Sequence, residues 1–230
     1  MDSHVINAKV RGEVNKTKIL NTLLDNVKGI FYRGSIIYGT YEEGVSDIDT
    51  LVVVDDSMLH LLSTFPYTTF QYELNNVDFQ VITETHFMDM IDANDIVAIE
   101  CLSTNNNEWV EFYEKCRNHF KLDKWKLRQS VSGICSNSWV KCKKKLTVEK
   151  DYNLRIAQKS LWHSMRLYMF GIQVAKYGKI TDFTEANYLW DEIKNAETPT
   201  WDYYNSKYKD KFNNLRSELV KLCDKPLENL

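Results

Sequence analysis

The chain has 230 residues, 29 Lys+Arg against 32 Asp+Glu, a formal charge of −3 and 43% apolar residues, the profile of an ordinary soluble globular protein. Three prolines and eight glycines exclude a long disordered linker, and no apolar run reaches the length of a signal-peptide core or a membrane span, so a cytoplasmic protein with no membrane partner is expected. Five scattered cysteines without a Cys-x-x-Cys pair argue against a disulfide framework and a zinc knuckle.

Taken in chain order, Ile19, Leu20, Leu23, Leu24 and Val27 recur at helical spacing and predict a helix over residues 13 to 28, stopped by Gly29. Ile30 to Arg33 follows as a short strand, Gly34-Ser35 as the turn out of it, and Ile36 to Tyr41 as a helical turn. After the polar loop Glu42 to Ser46, residues 48 to 54 form a β-branched run too continuously apolar to have a solvated face. Ser57 is placed to cap a helix through about Leu62. Tyr67 to Leu74 and Val77 to Thr83 read as two strands joined by the two-residue turn Asn75-Asn76.

The rest is helical. Short helices are predicted over His86 to Ile91 and Ile96 to Leu102, a further strand over Trp109 to Tyr113, and a helix from Asp123 to about Leu146. In Asp151 to Tyr177 the residues Leu154, Ala157, Leu161, Met165, Tyr168 and Ile172 step by three and four, which defines one buried stripe, and Gly178 ends it. Helices over Thr184 to Asn195 and Asp202 to Cys223 complete the chain, with Trp201, Tyr203, Tyr204 and Tyr208 packing the last one. The fold class is therefore α+β: a mixed sheet flanked by helices over residues 1–114, then a helical bundle over 115–230.

Charge follows the same division. Residues 1–114 hold 6 Lys+Arg and 19 Asp+Glu, whereas residues 115–166 hold 14 and 3. An acidic half that binds a cation and a basic segment that attracts phosphates is one reading; basic helices docked on an acidic sheet domain is the other, and the two are compatible.

The chemistry-bearing stretch is residues 30 to 54. Asp47 and Asp49 stand two apart at the head of a strand and so share a face. Carboxylates that close repel unless a cation lies between them, which points to a divalent ion held by hard oxygen ligands, most simply Mg²⁺. Lys159, His163 and Arg166, spaced by four and three, share one face of the long helix. Ser138, Lys141 and Lys145 form a similar stripe on the helix before it, joined by Lys143 and Lys144, which suits either a polyanionic acceptor such as RNA or a solvated helix end.

Gly34-Ser35, an eleven-residue gap and then Asp47-Ile48-Asp49 at the head of a strand resembles the DNA polymerase β-type nucleotidyltransferase superfamily. Tyr38-Gly39, Ser46-Asp47, the set Lys159, His163 and Arg166, and Gly178-Lys179-Ile180 resemble, within it, a subgroup of bacterial and phage predicted nucleotidyltransferases of unassigned substrate. The resemblance implies a nucleotidyltransferase-fold catalytic domain over 1–114 and a helical domain over 115–230 that closes the nucleotide cleft. It implies a third carboxylate from a later strand, for which Asp78 is the choice and Glu73 the fallback. Asp47, Asp49 and Asp78 would then hold two Mg²⁺ (or Mn²⁺) ions and carry catalysis, while Gly34, Ser35, Lys159, His163 and Arg166 bind a nucleoside triphosphate. The implied reaction moves a nucleoside monophosphate to a hydroxyl with release of pyrophosphate, the acceptor being an RNA 3′ end or tRNA, a protein or a small molecule. The alternative is a non-catalytic nucleotidyltransferase-like partner in a phage–host conflict system. A phosphate-binding hydrolase is disfavoured by the lack of a P-loop or a His-rich metal motif.

Overall fold

In the computed structural model, residues 15–104 and 108–223 are described; residues 13 and 14 of the predicted first helix lie outside them. Two compact units interleave along the chain. Of the described residues, the first unit takes those up to Ile37, Tyr41–Asp89 and Thr104–Asn118, and the second takes Tyr38–Thr40, Met90–Ser103 and those from His119 onward.

The first unit is built on a four-stranded sheet in the order β1 (Val27–Arg33), β2 (Ile48–Val54), β4 (Val77–Thr83), β3 (Phe70–Leu74). The outer pairs β1–β2 and β4–β3 are antiparallel, and the central pair β2–β4 is parallel. The first helix, α1 (15–24), ends earlier than its periodicity predicts, and Val27 already belongs to β1. The apolar spacing that suggested a longer helix continues into the strand because Val27 packs in the same core as Leu20 and Leu23. On one sheet face Val52, Val54, Phe70 and Val81 cluster with Leu20 and Leu23 of α1 and Leu62 of α3 (Leu59–Leu62). That burial of several large apolar side chains, each contributing roughly 1.5–3 kcal/mol, fixes which face of β2 looks inward.

The opposite face begins apolar and ends polar. Phe31 stacks on Phe87 of α4 (Glu84–Asp92) at 5.2 Å, and Phe87 meets Phe112 of α6 (Val110–His119) at 6.2 Å. The strand expected over Trp109 to Tyr113 is thus the start of a helix. Its aromatic content reads as β-propensity, but Phe112, Tyr113 and Cys116 lie at helical spacing and are buried together. The turn after β2 is capped by Asp55, not by Ser57: the Asp55 carboxylate accepts from the Ser57 N–H at 3.0 Å, and that bond with the Lys28 ammonium holds its carboxyl below the ordinary range. Asn75 and Asn76 form the predicted hairpin turn, both with positive φ (51° and 65°).

The second unit is helical. It holds α5 (Ile96–Ser103), α7 (Lys124–Thr147), α8 (Leu154–Tyr177), α9 (Asn187–Lys194) and α10 (Trp201–Leu222). Asp123, Asn153 and Thr200 cap α7, α8 and α10 by accepting backbone N–H bonds, and Gly178 ends α8 in the left-handed conformation (φ 76°). Asp151 does not start α8 as predicted; it lies in a separate turn and takes ion pairs from Lys144 and Lys145. The centre of α8 is buried on nearly all sides, so its apolar stripe understated its place in the core. Tyr204 and Tyr208 are buried, and Trp201 sits edge-on to Trp139 at 5.7 Å, so these aromatics pack α10.

Candidate active site

The polar end of the second sheet face carries one row across all four strands. Arg33 of β1 pairs with Asp49 of β2, Asp49 with Asp78 of β4, and Asp78 with Glu73 of β3. Register partners project from the same face, so the row presents a cation and three carboxylates in order. Asp49 and Asp78 are half-buried near the N-terminal ends of two parallel strands, and Glu73 is exposed on the edge strand. The parallel pairing makes this meeting possible: Asp49 and Asp78 are 29 residues apart in sequence and neighbours in space.

Asp47 lies just before β2, on a segment held by the hairpin tip. Ile48 N–H donates to Asn76 O at 2.9 Å, and Asn76 Nδ2 donates to Ser46 O at 2.8 Å. Thr50 Oγ1 donates to Asp78 O at 3.0 Å and ties the two strands below. Burial, and then the negative charge of Asp47, push the Asp78 carboxyl above its ordinary value, while Arg33 pulls it the other way. The charges of Asp47, Asp78 and Arg33 therefore act on one another at this end of the sheet.

Gly34 follows Arg33 with φ +66°. A Cβ at this position would stand 1.9 Å from Asp49 Oδ2, so the glycine leaves space that the Asp49 carboxylate fills. Sequence reasoning assigned Gly34 to close approach by a phosphate; the geometry shows close approach by a carboxylate. Ser35 opens the single turn α2 (Ser35–Tyr38).

Residues 16–100 match the family model described as nucleotidyltransferase domain, a span that contains Gly34, Ser35, Asp47, Asp49, Glu73 and Asp78. These residues are a nucleotidyltransferase domain of the polymerase β-like kind. No curated protein matched the chain. Among solved structures, the chain is similar to a nucleotidyltransferase-like protein from Exiguobacterium sibiricum, at 13% identity and a TM-score of 0.35, over 86% of this chain and 72% of that one.

Outside the nucleotidyltransferase domain, α8 places its predicted set in three different environments. Lys159 is exposed, His163 is half-buried and Arg166 is buried, at 5% exposure. The Arg166 guanidinium lies 3.7 Å from the centre of the Tyr38 ring and 4.4 Å from that of Trp162. Its Nη2 donates to His163 Nδ1 at 2.8 Å. Tyr38 in turn donates its hydroxyl to the buried carboxylate of Glu100, and its carbonyl accepts from Asn187 Nδ2 at 2.8 Å. Sequence reading singled out Tyr38 only as part of Tyr38-Gly39 and did not mark Glu100, which sits in a wholly apolar helical run. The signal available was the charge itself: α5, Ile-Val-Ala-Ile-Glu-Cys-Leu-Ser, carries one acid at a position with no solvent face.

Proposed function

We propose that this protein is an Mg²⁺-dependent nucleotidyltransferase that moves a nucleoside monophosphate from a nucleoside triphosphate to a hydroxyl acceptor and releases pyrophosphate. A nucleotidyltransferase domain supports nucleotidyl transfer as the general reaction class. The observation that carries the finer reading is the Asp49–Asp78 register pair, with Asp49 seated against Gly34 and Asp47 acting electrostatically on Asp78.

The donor chemistry, carboxylate oxygens, suits a hard divalent cation, although among the described residues no group of three or more His, Cys, Asp and Glu side chains stands gathered to hold one. All its ligands are carboxylate oxygens, two of them on adjacent strands, and their mutual repulsion is what a cation relieves. Asp47, Asp49 and Asp78 would hold it, with Glu73 at the end of the same row. Bound there, Mg²⁺ (or Mn²⁺), in a pair of ions, would neutralise the triphosphate and stabilise the attacking and leaving oxygens.

The chain's own residues set up the transfer. The acceptor oxygen bonds to the α-phosphorus as the bond to the bridging oxygen breaks, and pyrophosphate leaves with that electron pair. The proton of the acceptor hydroxyl passes to the Asp78 carboxylate. Ser35 supplies a hydroxyl to the phosphates. Lys159 and His163 remain candidates for triphosphate contact. Arg166 is not carried forward as a ligand, because its guanidinium is buried between Tyr38 and Trp162 and bonded to His163. The acceptor is an RNA 3′ end, a protein hydroxyl or a small molecule. Among the described residues no helix is long and apolar enough to cross a membrane.

The test is direct. The protein is incubated with each of four α-labelled nucleoside triphosphates, Mg²⁺ or Mn²⁺, and RNA or protein fractions, beside an Asp47→Ala/Asp49→Ala variant. Label transferred by the wild type and lost in the variant supports the reading and identifies the acceptor. Absence of transfer under every condition favours a non-catalytic partner.

A further inference from the structure

The Asp49–Asp78 pair has a cationic neighbour to which the proposed reaction gives no part. Arg33 ends β1 as the register partner of Asp49, and its Nη1 donates to Gln80 Oε1 at 3.0 Å. Gln80 belongs to β4, two strands away, with β2 between them. Strands two apart in a sheet are separated by about 9.5 Å. The Arg33 side chain must therefore lie across β2 to make this bond.

On that face β2 presents Asp49 and Leu51, the register neighbours of Asp78 and Gln80. The guanidinium thus reaches β4 over the face of β2 that carries Asp49, and its charge acts on Asp78. A neutral acceptor, Gln80, anchors its far end. The glycine that follows, Gly34, leaves the space that the Asp49 carboxylate fills.

Resting on the carboxylate reading above, we propose that Arg33 is a resident countercation of the acidic row, holding its carboxylates while nucleotide is absent and turning to the triphosphate when nucleotide arrives. A fixed positive charge among carboxylates opposes the entry of a second cation. An anion that draws the guanidinium away removes that opposition, and phosphate oxygens match its planar fork. Metal and triphosphate then bind with positive coupling through Arg33, and by linkage the coupling is the same whichever binds first. The hydrogen bond to Gln80 is with a neutral partner, and a charged phosphate oxygen is a stronger acceptor than an amide oxygen.

The experiment measures Mn²⁺ binding by water-proton relaxation, without and with ATP, on wild type, Arg33→Met and Arg33→Gln, after correction for Mn–ATP in solution. Thermal melts of each variant check that it folds; Arg33→Gln keeps a hydrogen-bonding group for Gln80 and serves where methionine is not accommodated. Without ATP, the variants are expected to bind Mn²⁺ at least tenfold more tightly than wild type. ATP is expected to tighten Mn²⁺ binding at least tenfold more in wild type than in the variants. Equal or weaker Mn²⁺ binding in both variants, or the same ATP effect in all forms, overturns the role of Arg33 and leaves the carboxylate site standing. No Mn²⁺ bound by any form, with or without ATP, overturns the carboxylate reading and this proposal with it.

Discussion

The carboxylate of Asp49 occupies the space that a side chain at Gly34 would need, with Oδ2 only 1.9 Å from where a Cβ would stand. Two residues fifteen apart in sequence are thereby matched: the acid requires the glycine, independently of any ligand. Gly34→Ala would add a left-handed conformation costing roughly 1–2 kcal/mol to a steric clash that displaces Asp49. The expected outcome is a fall of several degrees in Tm and loss of nucleotidyl transfer by at least a hundredfold. Gly34→Ala with full activity would show that Asp49 does not need its observed place.

Asp78 gives a pH signature. Its folded carboxyl is raised above the ordinary value, chiefly by burial and then by Asp47. A raised folded value means that the favourable contribution is present below the unfolded value and is lost as pH rises through the folded one. At neutral pH, in EDTA, charged Asp78 therefore costs stability, and Asp78→Asn is expected to raise Tm. The gain narrows as pH falls toward the ordinary carboxylate range. Melting curves of wild type and variant across that range check it, and a gap that widens on acidification contradicts the assignment.

The cysteines provide a check on the packing. Cys101, Cys116, Cys135, Cys142 and Cys223 are all buried free thiols. Burial pushes Cys116 up to about 11 and Cys142 up to about 12, so the thiolate fraction at pH 8 is negligible on top of the steric block. Native protein is expected to react with a thiol reagent at less than a hundredth of the rate of a free thiol, and to expose all five in denaturant. One fast-reacting cysteine in the native state would contradict its burial.

Much of the fold was legible because its signals are local. The β-branched run of β2, the Asn75-Asn76 turn and the stripe of α8 each state their own structure within a few residues. Pairing of Asp78 with Asp49 was readable only through the family resemblance, since nothing in Val77-Asp78-Phe79 itself names a partner strand. The boundary of α1 was missed because Val27 joins the same core as Leu23 from a strand, and periodicity does not register the change of backbone. Arg33 was passed over as the polar end of a short strand. Its reach to Gln80 depends on β2 and β4 being adjacent, a property of the topology and not of the stretch around residue 33. The surroundings of Arg166 were illegible for a related reason. Spacing shows that Lys159, His163 and Arg166 share a helix face, yet the burial of that face rises along its length, from exposed Lys159 to buried Arg166.

That gradient separates two explanations for Arg166. As a triphosphate ligand it would be replaceable at little cost to stability, and its loss would appear in nucleotide affinity. As the stacked cation between Tyr38 and Trp162, bonded to His163, it contributes to the helical unit itself. A desolvated cation–π contact is worth about 2 kcal/mol, and about 1 kcal/mol moves Tm by roughly 2–4 °C in a chain of this size. Arg166→Met is therefore expected to lower Tm by about 4–8 °C. Arg166→Lys should restore little of it, because an ammonium does not reproduce the planar stack. Triphosphate affinity of the folded fraction should change less than threefold in either variant. A variant that keeps the wild-type Tm but loses triphosphate binding tenfold or more would return Arg166 to the nucleotide site.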